Sequence, residues 1–175
     1  MGDRYIFDHE PAKFLVENAG LLPKGRVLDI AMGEGRNAVY LAKLGFEVEG
    51  VDISAEAVEA AHAWALENKV SIGIQTADLE KDYQIAPAAY GAIICFYYLQ
   101  RSLIPQIKAG LQKGGVIIYE TFIIDQRQFG HPRNPDFLLD YNELLNYFRD
   151  FRCLRYREGI IEPGKAVASL VAQKV

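Results

Sequence analysis

Short apolar runs that alternate with segments of helical spacing restrict the fold of this 175-residue chain more than any other feature. The runs predict five strands, at residues 26–31, 46–52, 70–75, 92–96 and 116–119. Helical spacing predicts helices at residues 37–44, 54–68, about 101–111 and 141–148. Alternating strands and helices build a parallel sheet that is covered on both faces and joined by right-handed crossovers. The sequence therefore predicts a doubly wound, Rossmann-like α/β fold.

The end of the chain departs from this alternation. Two apolar runs, residues 151–158 and 167–171, are separated only by a turn at residues 162–165. A parallel crossover needs a dozen or more residues, so these strands are expected to form an antiparallel hairpin. The prediction is a seven-stranded sheet, mostly parallel with an antiparallel C-terminal strand, in a single domain that spans residues 1–175. A helix over about residues 9–19 is expected to cover one end of the sheet.

Composition argues against several classes of protein. Lys and Arg number 19 against 23 Asp and Glu, and the net charge of −4 argues against a groove for nucleic acid. No apolar run approaches the roughly 20 residues of a membrane span, and the polar N-terminus lacks the apolar stretch of a signal peptide. Only two cysteines occur, Cys95 and Cys153, so we expect no disulfide framework and a cytoplasmic location.

The first strand leads directly into a turn that contains two glycines and then into a helix. Ligands of open parallel sheets bind at the carboxyl ends of the strands, beside the first strand. Gly33 and Gly35 permit a tight turn and a close approach of the backbone to a ligand, and the start of the helix offers free amides to an anion. Asp29, at the strand end, can face a cationic group. Taken alone, the pattern fits equally well a tight turn between strand and helix in which the glycines only avoid steric clashes and bind no ligand.

Acidic residues also follow the second and third strands. Asp52 lies about 20 positions after Gly33, the spacing typical of an acid that binds ribose hydroxyls. Asp78 follows the third strand, where a carboxylate can accept a hydrogen bond from the amine of a base, with Ile53 and Leu79 on either side of the ring. Asp78 by itself is more typical of a surface loop. Three acids at three successive strand ends nevertheless indicate a nucleoside site.

A family resemblance joins these positions. Residues 27–42 and 50–54 resemble the class I S-adenosylmethionine-dependent methyltransferases, and the stretch Gly-Glu-Gly-Arg-Asn-Ala at residues 33–38 is most similar to their small, tellurite-resistance-like bacterial branch. The similarity continues through residues 77–79, 90–93, 111–115 and the final hairpin. It implies a seven-stranded fold whose last strand is antiparallel, S-adenosyl-L-methionine as the cofactor, and transfer of its methyl group to a small-molecule acceptor by in-line displacement.

The resemblance also implies a set of cofactor-binding residues: Asp29, Ala31, Gly33, Gly35, Asp52, Ile53, Asp78, Leu79, Phe96 and Tyr97. Within this set, Asp52 would hold the ribose, and Asp78 with Leu79 would contact the adenine. Phe96 and Tyr97 end the fourth strand and would lie near the methyl-bearing sulfonium.

Two positions depart from the family pattern. Ala31 stands where the family usually has glycine, and Gly91 stands where the fourth strand usually begins with an acid. Alanine is a small change that is tolerated at position 31 if its φ is negative there. Gly91 calls into question a contact at the strand end, but not the cofactor pocket.

The acceptor side is expected at the ends of the fourth and fifth strands and in the long loop at residues 125–136, because long loops in compact domains often bind ligands. The predicted catalytic residues are Tyr98, Glu120, His131 and Arg133, with Arg101 and Arg127 as further candidates. Glu120 ends the fifth strand and is expected to face the mouth of the site. The basic side chains suit an anionic acceptor. Tyr5 and Phe7, before the first helix, could fold over the pocket, and equally they could serve only in ordinary packing. Glu120 alone is equally typical of a solvated strand end, and each charged residue of the loop alone is slightly more typical of a solvated surface.

Two other functions fit the same pattern. An NAD(P)-binding Rossmann module is one, because Gly33-x-Gly35-x-x-Ala38 also matches the dinucleotide fingerprint, although Asp29 precedes those glycines. A non-catalytic binder of S-adenosylmethionine is the other. The histidines and cysteines are not spaced as a metal site, so we expect no metal. The expected partners are a small-molecule substrate, with no nucleic acid and no membrane, for a monomer or homodimer.

Overall fold

A computed structural model describes residues 9–175 of the protein, and Tyr5 and Phe7 lie outside this range. One sheet contains seven strands: β1 Arg26–Ile30, β2 Glu47–Asp52, β3 Gly73–Thr76, β4 Tyr90–Phe96, β5 Leu111–Phe122, β6 Arg152–Glu162 and β7 Lys165–Gln173. The α-helices are α1 Lys13–Asn18, α2 Arg36–Lys43, α3 Ala55–Glu67, α4 Ile104–Gly110 and α5 Glu143–Tyr147.

The strand order confirms the predicted fold class. The sheet runs β3-β2-β1-β4-β5-β7-β6. Strands β1 to β5 pair in parallel, whereas β7 pairs antiparallel with both β5 and β6. The chain moves outward from β1 to β3 and returns on the other side of β1 at β4. This reversal separates the ends of β1 and β4, and such switch points are where open α/β sheets bind ligands.

The core lies on both faces of the sheet. Every residue of β4 is buried, as expected for a parallel strand that is covered on both sides. Ile93 packs into the cluster that contains residues of α4 and α5, and its neighbour Ile94 packs into the cluster that contains residues of α1 and α2. The period of two in a strand explains why consecutive residues enter opposite clusters.

The boundaries of several elements differ from the prediction. Leu111, predicted as the last helical residue before a stop at residues 113–115, instead begins β5, because it pairs with Tyr90 and is fully buried there. Residues 101–103 form a 3-10 turn, and α4 begins only at Ile104, with Pro105 in its first turn, where proline is tolerated. Strand β3 begins at residue 73 rather than 70, and α1 at residue 13 rather than about 9.

Candidate functional site

The turn between β1 and α2 depends on both of its glycines, for different reasons. Gly35 has a φ of 84°, and a Cβ on it would lie 3.0 Å from the Cβ of Ala61 in α3. Gly33 has a φ of 57°, but a Cβ built there would meet no protein atom within 4 Å. Gly35 is therefore needed for helix packing as well as for its backbone conformation, whereas Gly33 borders open space that a ligand can enter.

Ala31 adopts a backbone conformation that the sequence did not suggest. Its φ is 54°, in the left-handed region, so the condition under which alanine is tolerated without strain, a negative φ, is not met. A non-glycine residue held there costs about 1–3 kcal/mol of strain. A contact with another strand explains this conformation: the next amide, of Met32, donates to the carbonyl of Val51 in β2 at 3.0 Å and ties the turn to that strand. Gly91, the other departure, lies at the opposite end of the sheet, at the start of β4.

Asp52 holds the turn after β1 and the start of α3 together. Its Oδ2 accepts a hydrogen bond from the Gly33 amide at 2.9 Å, and its Oδ1 accepts one from the Ser54 amide at 2.9 Å. Ser54 is the N-cap of α3 and accepts from the Ala57 amide at 3.2 Å. Asp52 is only partly buried. A carboxylate has about four lone-pair sites, so these two bonds leave capacity for ligand hydroxyls.

Asp29 is a buried acid with an unsatisfied oxygen. Its side chain is almost fully buried, and its Oδ2 has no hydrogen-bond partner within the described part of the protein. Burial raises the pKa of Asp29 to about 8, against the lowering effect of Arg36, with a further raising effect from Asp52. An orphaned buried carboxylate is costly to keep in a fold. Its position below the glycine turn suits a cationic group of a ligand.

The end of β3 reaches the same edge of the sheet through a backbone contact. The Ala77 amide donates to the carbonyl of Asp52 at 3.1 Å, which sets Asp78 beside the end of β2. Oδ1 of Asp78 accepts from the Glu80 amide at 2.9 Å within a local turn. Leu79 is mostly buried in the core, whereas Ile53 is 64% exposed. Of the two predicted apolar walls of a base site, Ile53 is thus the one that is free to cover a ring.

A cavity of about 590 Å³ lies on the other side of β4, between the strand end and the loop after β5. It brings together three predicted residues, Tyr98, His131 and Arg133, and also contains Tyr97, Phe122 and Phe137. The Tyr98 hydroxyl donates to Oε1 of Gln100 at 2.7 Å. Burial is the main cause that raises the pKa of Tyr98 to about 12, and Glu80 adds to it. The cavity therefore combines aromatic walls with two basic side chains at its rim.

The loop that carries His131 and Arg133 is held by long-range contacts. The side chain of Gln126 is buried. Its Nε2 donates to the carbonyl of Gly164 at 3.1 Å, and its Oε1 accepts from the backbone amide of Ala166 at 2.8 Å. These bonds fix the loop to the β6–β7 hairpin. Nε of Arg127 donates to the carbonyl of Arg133 at 3.1 Å, within the loop itself.

Arg101 does not face the cavity as an anion-binding residue. Its Nε and one terminal nitrogen donate to the two carboxylate oxygens of Glu143, at 2.7 and 3.0 Å. The same guanidinium also donates to the carbonyls of Asp136 and Leu138, at 3.2 and 2.8 Å. Its donors are therefore largely used in fixing the loop to α5, which is a structural task.

Glu120, which was expected to face the mouth of the site, is buried and does not line the cavity that contains Tyr98, His131 and Arg133. It lines a separate cavity of about 620 Å³ on the other side of Tyr97. It is 3% exposed, and its Oε1 accepts from the Tyr97 hydroxyl at 2.7 Å. Its Oε2 accepts from the Ser169 hydroxyl at 2.6 Å and from Arg157 at 3.4 Å. A buried carboxylate needs such partners, because an unpaired charge in the core is strongly destabilising. Phe96 is also mostly buried, next to Tyr97.

Sequence reasoning missed the partners of Glu120. The register places Glu120 opposite Ser169, and Ser169 opposite Arg157, so the three side chains form one row across β5, β7 and β6. The only signal for these partners in the sequence is the alternation of the hairpin strands, which places every second side chain on the same face of the sheet. The pairing register, which selects these three residues, is not written in the local sequence.

Within residues 9–175, no group of three or more histidine, cysteine or acidic side chains is placed to hold a metal ion. No helix among these residues is long and apolar enough to cross a membrane. Cys95 is buried and Cys153 is exposed, and neither forms a disulfide.

Comparison with known proteins identifies relatives of the chain. A sequence profile of the family described as "Tellurite resistance protein TehB" matches residues 8–169. "Hemagglutinin 1" of Eikenella corrodens is 27% identical over 146 residues, which cover 77% of this chain and 46% of that protein. The "Probable S-adenosyl-L-methionine-dependent methyltransferase TehB" of Haemophilus influenzae strain 10810 is 25% identical over 156 residues, which cover 85% of this chain and 53% of that protein.

Solved structures share the same fold. The crystal structure of TehB from Haemophilus influenzae superposes with a TM-score of 0.77 at 24% sequence identity, and the match covers 92% of this chain and 61% of that chain. The chain thus spans about half the length of the curated relatives it matches.

Proposed function

The chain belongs to the TehB family, and on that premise we propose that it is an S-adenosyl-L-methionine-dependent methyltransferase that acts on a small, anionic acceptor. The observation that carries the proposal is the arrangement around the turn after β1. Asp52 accepts from the Gly33 amide, Gly33 borders open space, and Asp29 keeps an orphaned oxygen below the turn. Together they offer a carboxylate for a ribose, room for a ligand against the backbone, and a buried acid that a cationic group of a ligand would ionise.

The residues present fit this cofactor. Gly33 leaves the backbone open to the methionine part, and Gly35 sets the turn against α3. Asp29 is the buried acid for its ammonium group, because a cation at the unsatisfied oxygen would lower the raised pKa of Asp29 and favour the carboxylate. Asp52 retains acceptor capacity for the ribose hydroxyls beyond its two backbone bonds. Asp78 and the exposed Ile53 are assigned to the adenine, with Leu79 forming the floor. When bound, the cofactor supplies a methyl group that is already activated, so positioning is the main task left to the protein.

The acceptor is assigned to the cavity of about 590 Å³ beyond β4. His131 and Arg133 lie at its rim, where both side chains are exposed, and can bind an oxyanion or a carboxylate. Phe122 and Phe137 supply apolar surface for the remainder of the acceptor. Such a site, with few polar groups on apolar walls, is typical of small-molecule pockets.

The protonation of the tyrosines limits the chemistry. Burial raises the pKa of both Tyr97 and Tyr98, so both hydroxyls keep their protons at neutral pH and donate hydrogen bonds rather than accept protons. His131 lines the same cavity, and its imidazole is the side chain that most often serves as a general base. An acceptor that must lose a proton is expected to use His131, whereas an acceptor that is already anionic needs only to be positioned.

Methyl transfer is tested with the full chain, S-adenosyl-L-methionine and a panel of acceptors that includes a halide, a thiol, an amine, tellurite and selenite. The expected result is release of S-adenosylhomocysteine with at least one anionic acceptor. Arg133→Ala is expected to raise the KM for that acceptor about tenfold, equivalent to about 1.4 kcal/mol. Arg149→Ala, which removes another exposed arginine, should leave it unchanged. Intact cofactor binding without turnover of any acceptor would instead support a non-catalytic binder.

A further inference from the structure

Tyr97 stands between two cavities. On one side lies the cavity of about 590 Å³ that contains Tyr98, His131 and Arg133. On the other lies a second cavity of about 620 Å³, bordered by α1, the start of α2 and the β6–β7 hairpin, which Tyr97 also lines. The same aromatic ring therefore forms part of the wall of both spaces.

The conformation of Tyr97 is unusual and firmly held. Its φ is 58°, a left-handed conformation that costs an aromatic residue about 1–3 kcal/mol. Its amide donates to the carbonyl of Glu120 at 2.8 Å, and its hydroxyl donates to Oε1 of the same residue at 2.7 Å. The ring packs 5.0 Å from that of Phe122, and Nζ of Lys165 lies 4.7 Å from its centroid. Both ends of the residue are thus fixed by Glu120.

Glu120 in turn has a fixed position. Ser169 and Arg157 bind its other oxygen, in the cross-strand row that joins β5, β7 and β6. Because the carboxylate is buried and satisfied on both oxygens, it cannot rotate without losing a charge-assisted hydrogen bond. A strained aromatic residue that is held by a buried acid at a cavity wall is typical of a functional constraint rather than of ordinary packing.

We propose that Tyr97 separates the first cavity from the second and so limits the size of the acceptor that the first can hold. Glu120 is the positioning residue that holds Tyr97 in place. The inference rests on the proposed function for the identity of the first cavity as the acceptor site. Loss of the ring joins the two spaces and admits longer ligands. Loss of the Glu120 carboxylate leaves the ring in place but releases its hydroxyl, so the wall becomes mobile.

Binding of two anionic aromatic probes tests this without any need for turnover. Benzenesulfonate and the longer 8-anilinonaphthalene-1-sulfonate are titrated into the cofactor-free protein by calorimetry and fluorescence. The wild type is expected to bind benzenesulfonate more tightly than the long probe. Tyr97→Gly, which suits the positive φ, is expected to shift the ratio of the two affinities at least tenfold toward the long probe. Tyr141→Gly removes an exposed tyrosine outside both cavities and should leave the ratio unchanged.

Two variants of Glu120 separate positioning from a structural role. Glu120→Gln keeps an oxygen that accepts from the Tyr97 hydroxyl, and its NH2 group can donate to the Ser169 hydroxyl, with loss of the 3.4 Å contact to Arg157. Because the bond to Tyr97 is kept, the affinity ratio should stay within about twofold of wild type. Glu120→Ala should shift the ratio in the same direction as Tyr97→Gly. In the double variant of Tyr97→Phe and Glu120→Ala, the two changes should be non-additive, because both remove the same hydrogen bond.

The outcomes are distinguishable. An unchanged ratio in a folded Tyr97→Gly protein, or failure of both probes to bind to any variant, overturns the inference. Equal effects of Glu120→Gln and Glu120→Ala overturn the positioning role of Glu120. If the probes behave as expected but S-adenosyl-L-methionine does not bind, the partition between the cavities stands and the proposed function fails.

Discussion

The two halves of the carboxyl edge of the sheet are built in different ways. In the half formed by β1, β2 and β3, glycines, local turns and short acids hold the backbone, and the key contact joins Asp52 to the Gly33 amide. In the half formed by β4, β5 and the hairpin, side chains far apart in sequence hold the site, such as Gln126 with Ala166 and Glu120 with Ser169. The first half shapes the backbone around a ligand, and the second half positions side chains around one. On the proposed function, the first half binds the cofactor and the second half binds the acceptor.

The largest expected effect tests the buried acid of the first half. Burial raises the pKa of Asp29 from 3.8 to about 8, so between those values the folded protein retains a proton that the unfolded chain releases. The free energy of unfolding should therefore fall as pH rises from about 4 to about 8, and level off above that. At about 1.4 kcal/mol for each pKa unit, the fall amounts to several kcal/mol.

Urea unfolding of the cofactor-free protein from pH 5 to 9 measures this fall. Asp29→Asn cannot titrate at this position, so its stability should lack this component of the pH dependence. Asp140→Asn, at an exposed acid, should retain the wild-type profile. Parallel profiles for the wild type and Asp29→Asn would show that Asp29 is ionised in the fold.

The next effect concerns the link between β1 and β2. Asp52→Ala should weaken S-adenosyl-L-methionine binding by about 1–3 kcal/mol, because it leaves the ribose hydroxyls and the Gly33 amide without their acceptor. Isothermal titration measures the loss. Glu47→Ala removes an exposed acid at the other end of the same strand and serves as the control. Equal affinities of Asp52→Ala and wild type would place the ribose elsewhere.

A substitution in the second half should affect binding of the acceptor and leave binding of the cofactor nearly unchanged. Gln126→Ala leaves the buried Ala166 amide without an acceptor and should lower the free energy of unfolding by about 1–3 kcal/mol. The KM of the acceptor should rise because the loop with His131 and Arg133 loosens, while the Kd of the cofactor stays within about twofold. Gln128→Ala, at an exposed position in the same loop, is the matched control. A cofactor Kd that rises as much as the acceptor KM would remove the distinction between the two halves.

The smallest expected effect concerns the backbone strain at Ala31, in the turn after β1. Ala31→Gly should raise the free energy of unfolding by about 0.5–1 kcal/mol, because relief of the left-handed strain exceeds the entropy that glycine gains in the unfolded chain. Ala63→Gly, at an exposed site in α3, should lower it by a similar amount. Thermal and urea unfolding measure both changes. The same sign for both variants would mean that Ala31 is not strained.

The same division explains what the sequence could predict. The doubly wound sheet of parallel strands and the antiparallel hairpin follow from periodicity and loop length, and the structure confirms them. The hydrogen bond from the Gly33 amide to Asp52 was not predicted, although the spacing of the two residues pointed to one site. The φ of Ala31 could not be predicted, because it depends on a hydrogen bond to β2.

The burial of Glu120 and the structural use of Arg101 were also beyond local reasoning. Glu120 meets Ser169 and Arg157 only through the register of β5, β7 and β6, and Arg101 meets Glu143 across the fold. Charged residues at strand ends and in loops look alike in sequence whether they bind a ligand or another side chain. The assignments of Tyr98, His131 and Arg133 to catalysis therefore remain predictions that substitution must test.

The most direct test of the central claim is calorimetric titration of the full chain with S-adenosyl-L-methionine and, separately, with NAD and NADP. We expect saturable binding of S-adenosyl-L-methionine at one site per chain, lost or strongly weakened in Asp52→Ala, and no binding of either dinucleotide. Saturable binding of a dinucleotide with none of S-adenosyl-L-methionine would contradict that claim.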